Sequence, residues 1–359
     1  PPPPAGPAAT RPSGAKSDGW AIASLALGVL SFACLPLIGG ILVIAFSMVA
    51  RSRIKDSRGE LGGSGLATAG LALGVVNLAV LLVLAGVIVP WSIHFLGKTR
   101  TVIRTVAPQG ASRVVAELNL RSGRLEVDGG GEGFFEGTFT YNAKDWEPRV
   151  EYSVRGDEGR LSVTQGGDWW APTFWLVRND WHVRLADDLP LDLRADLSSA
   201  GGSFRLGSLS LRSLEVESGS GGVDLDLSGE HPELGRVELS QGSGDLRLDL
   251  RGIYKSYVQL DVENASGRTE IDLRGRWEGA LGGRVRSGCG DVTLRLPDEV
   301  GVRVRVRGGS GRLHAEGLSL DMSDRDGAVY VNGAFRDSPV TLQIDVECSS
   351  GDITLAAGG

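Results

Sequence analysis

Two hydrophobic patterns divide the chain. Near the N-terminus, uncharged and largely apolar runs cover residues 20–50 and 61–97. From residue 118 onward, apolar and polar residues alternate with a period of two, which is typical of half-buried strands. The pattern therefore predicts α-helical membrane segments followed by an all-β region.

The first uncharged run is longer than a membrane requires. As one helix, residues 20–50 would extend about 46 Å, against a hydrocarbon layer of ~30 Å. Pro36 and Gly39-Gly40 interrupt the run, so it forms either one kinked span or a re-entrant hairpin. The second run has its apolar part from Leu66 to Phe95. Together they predict a membrane domain with two apolar segments over residues 19–97, embedded in a lipid bilayer.

Charges near these segments predict the topology. Residues 51–58 carry four basic side chains between the two segments, and basic loops favour the cytoplasmic side. If the second segment then crosses once, residues 98–359 lie outside the cytoplasm. The Pro-rich residues 1–18 form a disordered tail, and residues 98–112 form a linker.

Glycines mark a repeat in the all-β region. Each is followed by inward-facing residues two and four positions later, and only Thr269 and Ala315 break the apolar columns that result. Three successive spacings are 23 residues, from Gly221 to Gly290. The repeat glycines are Gly123, Gly159, Gly202, Gly221, Gly244, Gly267, Gly290, Gly311 and Gly351, with Gly137 and Gly327 as degenerate copies. A second strand in several units is predicted at Leu211–Val216, Arg236–Leu239, Tyr257–Val262, Val302–Arg307 and Leu342–Val346.

A repeat of this length predicts a Gly-rich β-solenoid over residues 113–356, with stacked rungs of about 19–24 residues. One rung cannot bury its inward side chains alone, whereas neighbours stacked at ~4.8 Å form a continuous core. An irregular β-sandwich is the alternative, since turns every 8–12 residues also occur there.

Two parts of the sequence resemble known bacterial domains. Ser24-Leu-Ala-Leu-Gly-Val recurs as Gly70-Leu-Ala-Leu-Gly-Val, and residues 20–90 resemble a bacterial membrane domain of unknown function. The second resemblance is to the toast-rack domain, and it rests on Trp181-His-Val-Arg-Leu-Ala-Asp-Asp-Leu-Pro and Gly219-Ser-Gly-Gly-Val-Asp-Leu-Asp-Leu. The later units resemble adhesin-type repeats of bacterial envelope proteins. The resemblance covers residues 113–356 and implies a β stack on a membrane anchor, with no catalytic residues.

Charge and composition exclude several functions. Residues 98–359 hold 31 Lys and Arg against 41 Asp and Glu, which disfavours binding to nucleic acid. The Gly-x-Gly motifs lead into strands, whereas a phosphate loop leads into a helix. None of the four histidines accompanies a nucleophile motif. We therefore predict no enzyme activity, no cofactor and no metal.

Cysteines and acids provide two further tests of the rung order. Cys289 and Cys348 are predicted to lie about 10 Å or more apart, because at least the rung of Gly311 would separate them, so both thiols stay unpaired. Asp226, Asp249 and Asp272 are predicted to stack on the outside. Either a divalent cation bridges them or neighbouring arginines compensate them, and the many arginines favour the second.

An aromatic cluster is the candidate partner surface. Aromatic side chains can line a glycan or peptide groove, plug an irregular part of the stack, or contact the membrane interface. The cluster consists of Trp169, Trp170, Phe174, Trp175 and Trp181.

The predicted function is that of a non-enzymatic, membrane-anchored envelope protein. Its β-solenoid would present an adhesin-like interaction surface to an envelope protein or glycan. The alternative is a sensor or regulator of an envelope-stress signalling partner, acting through the membrane segments. Pull-down of a signalling protein or of wall material separates the two.

Overall fold

The computed structural model describes almost all of the C-terminal part of the chain. It covers residues 96–131, 133–167, 177–308, 310–325 and 327–358, together with short pieces between residues 16 and 87. The chain divides into two compact units, Pro1–His94 and Phe95–Gly359.

The N-terminal unit is described only in pieces. Strands β1 (Lys16–Ser17) and β2 (Leu61–Gly62) pair in parallel. Helical residues occur at 47–49 and 52 and in short stretches from 68 to 87. Within these pieces, no helix reaches the length and hydropathy of a membrane span. The predicted segments over 20–50 and 61–97 lie largely outside the described residues, and the membrane domain stays a prediction.

The C-terminal unit is built from strands. In chain order they are β3 (Leu96–Val106), β4 (Arg113–Asn119), β5 (Arg124–Asp128), β6 (Phe135–Ala143), β7 (Arg149–Arg155), β8 (Glu158–Thr164), β9 (Asn179–Leu185), β10 (Leu191–Asp196), β11 (Gly201–Arg205), β12 (Leu211–Ser220), β13 (Val223–Asp226), β14 (Glu230–His231), β15 (Arg236–Ser243), β16 (Leu246–Asp249), β17 (Ile253–Tyr254), β18 (Val258–Ser266), β19 (Thr269–Asp272), β20 (Arg276–Trp277), β21 (Leu281–Cys289), β22 (Val292–Leu296), β23 (Gly301–Gly308), β24 (Leu313–Glu316), β25 (Ser319–Asp324), β26 (Gly327–Val331), β27 (Thr341–Ser350) and β28 (Ile353–Ala357).

These strands form two large sheets with the core between them. The first sheet has 12 strands in the order β25-β26-β23-β27-β21-β18-β15-β12-β10-β4-β8-β7, and the second has 11 in the order β24-β28-β22-β19-β16-β13-β11-β5-β9-β6-β3. A rung consists of one strand of the first sheet and the following strand of the second. Three central rungs add a third side, formed by β14, β17 and β20.

Parallel pairing at the predicted offset confirms the repeat. Leu248 pairs with Ile271, and Val237 pairs with Leu260, each 23 residues later. Leu125 and Leu248 are fully buried, as expected for the inward columns. Leu313 departs from this pattern with 38% of its surface exposed, because its strand β24 ends the sheet.

Glycine at the corners is required by backbone conformation and by close packing. Gly267 has φ +119°, a conformation that side chains disfavour. A Cβ there would overlap the carbonyl oxygen of Gly244 in the preceding rung. Two of the proposed corner glycines are placed differently, since Gly159 lies within β8 and Gly202 within β11.

The ends of the stack do not follow chain order, which corrects the prediction. Strands β8 and β9 lie outside β4 and β5, and the C-terminal pair β27 and β28 lies between the rungs β21/β22 and β23/β24. The copies assigned to Gly137 and Gly327 are also not rungs. Their strands, β6 and β26, pair antiparallel at the ends of the sheets.

The insertion of β27 also corrects the position of the cysteines. No rung separates Cys289 and Cys348: β21 pairs directly with β27, which places Ser287 opposite Cys348 and Cys289 opposite Ser350. Both described cysteines are free thiols, Cys289 exposed and Cys348 buried. Cys289 lies two residues after Ser287, so alternation places it on the same side of the sheet as Cys348, but at the exposed end of β21.

Two buried ladders run along the stack. On the third side, the ring of Tyr254 stacks on His231 at 5.8 Å and on Trp277 at 4.3 Å between centroids. Behind the glycine corners, the amide of Asn264 donates hydrogen bonds to the Gly244 carbonyl at 3.2 Å and to Thr269 Oγ1 at 3.1 Å. The register partners in that polar ladder are Ser218, Gln241, Asn264, Ser287 and Cys348.

Candidate interaction surface

The outer face of the second sheet carries a column of charges. Strand register places Asp226 beside Asp249, Asp249 beside Asp272, and Asp272 beside Arg295. At one strand spacing, about 4.8 Å, like charges would destabilise the stack unless they are compensated.

Arginine side chains compensate the charges of this column, which is the alternative that the sequence analysis favoured over a bridging cation. Arg251 Nε donates to Asp249 Oδ1 at 2.9 Å, and Arg274 Nη2 donates to Asp272 Oδ2 at 2.7 Å. Partial burial raises the pKa of Asp272, but the Arg274 hydrogen bonds and charge outweigh it and hold the pKa below its ordinary value. The carboxylates of Asp249 and Asp272 are therefore engaged within the protein.

The same column is compensated near its other end. Two nitrogens contact the Asp128 carboxylate: His182 Nε2 lies 2.6 Å from Oδ2, and Arg205 Nε lies 2.6 Å from Oδ1. Burial raises the pKa of Asp128, and the hydrogen bonds from Arg205 and His182 lower it further than burial raises it. Arg205 occupies the register position between Asp128 and Asp226, so it separates two carboxylates.

The outer face of the first sheet contains an open slot of a different composition. Gly282 lies in register between Gln259 on β18 and Gln343 on β27. A cavity of about 460 Å³ opens at this position, where Gly282 contributes no side chain of its own. Tyr257, Gln259, Asp261, Gly282, Gly283, Arg284, Arg303, Gln343, Ile344 and Asp345 line this cavity, which we call the glycine slot.

The hydroxyl end of Tyr257 lies over the glycine floor. A Cβ at Gly282 would overlap Tyr257 Oη, so the glycine makes room for the phenol. Tyr257 as a whole nevertheless remains 58% exposed. An exposed aromatic face beside polar side chains provides an apolar platform inside a polar slot.

Several charged and amide groups of the glycine slot are unused. Arg284 lies in register between Asp261 and Asp345. Within the part of the chain that the structure describes, Arg284, Arg303 and Asp345 form no ion pair closer than 4.0 Å. The Gln259 amide is partly engaged, because it donates to Asp261 Oδ2 at 2.8 Å.

Of the predicted aromatic cluster, the structure describes one residue, Trp181. Trp181 is 1% exposed, and its indole Nε1 donates to Asn179 Oδ1 at 2.9 Å and packs edge-on against Phe139. It belongs to the core of β9, because its position in the strand points inward. Trp169, Trp170, Phe174 and Trp175 lie outside the described residues, and their role in a partner surface stays a prediction.

Sequence reasoning missed the glycine slot. The doublet Gly282-Gly283 interrupts the apolar alternation of β21, so this strand was absent from the predicted second strands. A signal exists nevertheless: two glycines stand where the preceding units carry side chains on both faces, Gln259 and Leu260.

Among the residues that the structure describes, no group of three or more His, Cys, Asp or Glu side chains has the arrangement of a metal site.

Comparison with known proteins supports the nature of the β region. Residues 96–245 match the family model of the N-terminal domain of toast_rack, DUF2154. Residues 20–84 match the model of a domain of unknown function, DUF4190. The first match confirms the toast-rack resemblance over the residues it covers. No curated protein matches the chain.

Solved structures of bacterial proteins show limited likeness. A candidate cell adhesion protein from Clostridium sporogenes is 24% identical, with a TM-score of 0.44 and coverage of 73% of this sequence and 100% of its own. A candidate adhesin from Bacteroides fragilis is 11% identical, with a TM-score of 0.32 and coverage of 72% and 97%. A candidate lipid binding protein from Parabacteroides distasonis is 12% identical, with a TM-score of 0.32 and coverage of 71% and 97%.

Proposed function

We propose that the protein is a non-enzymatic, membrane-anchored envelope protein whose β stack presents an interaction surface. The glycine slot is the observation that carries this proposal. It brings together Arg284, Arg303 and Asp345, which form no ion pair closer than 4.0 Å with any residue that the structure describes, on strands paired on both sides. On the second sheet, by contrast, Arg251 and Arg274 bind the carboxylates of Asp249 and Asp272.

A binding role fits the slot better than catalysis. The slot contains neither a nucleophile beside a base nor a histidine. Its groups are planar donors and acceptors on neighbouring strands, which can recognise a ligand without changing it.

The membrane anchor is proposed from the sequence. Residues 20–50 and 61–97 are uncharged over lengths that exceed a ~30 Å hydrocarbon layer. The basic residues of 51–58 favour a cytoplasmic loop, and a single crossing by the second segment would then put the β stack outside the cytoplasm.

Photocrosslinking in native membranes tests the interaction role. A benzophenone amino acid replaces Gln343 in the slot, and a control protein carries it at Asp224, which is exposed on the second sheet. We expect a discrete crosslinked species from position 343 and none from position 224. A signalling protein in that species would favour the sensor alternative. Absence of any discrete species from the slot would contradict the proposed function.

Impermeant labelling tests the orientation. Asp337 is exposed, so Asp337→Cys in a protein with Cys34, Cys289 and Cys348 replaced by Ser gives one reactive thiol. We expect an impermeant maleimide to label this cysteine on intact cells. Labelling only after lysis would place the β stack in the cytoplasm.

A further inference from the structure

We propose that the glycine slot binds a neutral saccharide chain, seated across Gly282 between Gln259 and Gln343. This inference rests on the proposed interaction function and adds the chemical class of the ligand. Two strand spacings separate the two glutamines, so their side chains stand about 10 Å apart on either side of the glycine floor. The slot volume of about 460 Å³ falls within the range of small-molecule sites, ~300–1,000 Å³.

The slot is distinguished from the rest of the surface by what its side chains leave unpaired. On the same sheet, Arg286 bonds Glu263 at 2.8 Å across one strand spacing. Arg284 has the same opportunity with Asp261 and Asp345, its register neighbours, yet no ion pair closer than 4.0 Å joins it to a described residue. Its guanidinium is therefore available to a ligand, and so are the oxygens of Asp345.

The balance of charge argues against an anion. Arg284 and Arg303 supply two positive charges, and Asp261 and Asp345 supply two negative charges in the same cavity. Each carboxylate would repel a phosphate or carboxylate ligand that approached Arg284 at about one strand spacing. A ligand that offers both donors and acceptors, without net charge, satisfies all four groups.

Backbone pairing argues against an added peptide strand. The slot lies on the face of the first sheet, where β18, β21 and β27 are already paired on both sides. Strand addition uses free backbone groups at a sheet edge, and the slot has none. Recognition must therefore use side chains.

Sugar hydroxyls match these side chains. Each hydroxyl both donates and accepts, so it can bridge an amide, a guanidinium and a carboxylate. The apolar C–H face of a sugar ring would pack on the exposed ring of Tyr257, which is 58% exposed beside the floor. A single sugar covers few groups on such an open surface, so we expect affinity in the millimolar range, improved when an oligosaccharide spans several rungs.

The experiment uses the full-length protein in lipid nanodiscs. It is applied to an array of bacterial and animal oligosaccharides, followed by titration of the strongest neutral binder and of inorganic phosphate by NMR. Gly282→Val fills the floor, and Tyr257→Ala removes the platform. Asp224→Asn, on the second sheet, is the matched control. Equal melting temperatures show that each variant is folded.

We expect saturable binding of at least one neutral oligosaccharide, a loss of at least tenfold in affinity in Tyr257→Ala, no detectable binding in Gly282→Val, and unchanged binding in Asp224→Asn. If Gly282→Val melts early, Gln343→Ala replaces it, since Gln343 is exposed. An array without neutral binders overturns the inference, as does binding that survives both slot variants. Saturable phosphate binding at the slot instead overturns the neutral class. A blank array with a protein crosslinked at position 343 would leave the proposed function standing.

Discussion

The middle of the β stack and its two ends obey different rules. From β12 to β22 each rung pairs with the next rung in sequence, at an offset of 23 residues. At the ends, β8 and β9 lie outside β4 and β5, and β27 and β28 are inserted inside β23 and β24. A regular repeat therefore determines register, whereas the order of the terminal rungs depends on longer connections.

The insertion at one end also creates the glycine slot. Gln343 reaches the slot because β27 pairs with β21. If the rungs followed chain order, β23 would occupy this place, and Arg303 would stand beside Gly282. The irregular end thus contributes chemistry that the regular middle does not contain.

The largest expected contrast between middle and end concerns the inward column. Leu246 on β16 and Leu313 on the edge strand β24 belong to the same inward column, which strand register connects through β19, β22 and β28. Leu246 is 2% exposed, whereas Leu313 is 38% exposed. Leu246→Asp buries an unpaired charge and should cost on the order of 4–5 kcal/mol. Leu313→Asp, at a half-exposed edge position, should cost less than about 1 kcal/mol. Thermal melting of the full-length protein by circular dichroism measures both, and equal losses would contradict the assigned end of the stack.

A corner glycine should be less tolerant than a glycine in an open turn. Gly267→Ala imposes a side chain at φ +119° and against the Gly244 carbonyl, so we expect a loss of about 2–4 kcal/mol. Gly156 also has positive φ, +65°, but no atom lies within 4 Å of its Cβ position. Gly156→Ala should therefore cost only about 1 kcal/mol. Similar losses in chemical denaturation would refute close packing of the corners.

The aromatic ladder should make the middle of the stack sensitive to acid. His231 is fully buried, and burial lowers its pKa more than the nearby Leu227 and Leu209 backbone and the Asp226 charge raise it. Below about pH 6.5, His231 is protonated in the unfolded state but stays neutral in the folded state, so the free energy of unfolding falls as the pH decreases. The fall is at most about 1.4 kcal/mol per pH unit and ends at the lowered pKa of the folded state.

His231→Phe tests this contribution. Phenylalanine preserves stacking on Tyr254 and cannot be protonated, so the variant should lose less stability than the parent between pH 7 and pH 5.5. Melting curves at both pH values measure the difference. Identical pH dependence in the two proteins would show that His231 is not the group responsible.

The smallest effect concerns the two thiols at the irregular end. Burial raises the pKa of Cys348, and its side chain points into the polar ladder, whereas Cys289 is exposed. In a protein with Cys34→Ser, Cys289 should react with iodoacetamide at least about tenfold faster than Cys348 at pH 8. Peptide mass spectrometry measures both rates. Equal rates would contradict the exposure of Cys289 and the burial of Cys348 in the stack.

Much of the stack could be predicted because its signals are local. The positions of Leu248 and Asp249, one inward and one outward, follow from alternation after Gly244. The compensation of Asp272, the last residue of β19, by Arg274 follows from two residues that are close in sequence. Each inference depends on a few neighbouring residues.

Rung order and the glycine slot could not be predicted from such signals. Periodicity does not say whether Gly290 is followed in the stack by the rung of Gly311 or that of Gly351, since both units carry the same alternation. Trp181 was misleading for a related reason: its neighbours in sequence suggested a surface cluster, but its parity within β9 places it in the core.

A pair of disulfide variants tests the insertion of β27 most directly. Both variants carry Ser287→Cys, Cys34→Ser and Cys289→Ser. The first variant keeps native Cys348, and the second replaces it by Ser and adds Gly308→Cys. Ser287 and Cys348 are register partners one strand apart, about 4.8 Å, whereas Gly308 lies one strand farther.

Mild oxidation should form the 287–348 disulfide in the first variant, seen by mass spectrometry, and leave the second variant reduced. A 287–308 disulfide in the second variant, without the 287–348 disulfide in the first, would show that the rungs follow chain order and that the glycine slot does not exist as described.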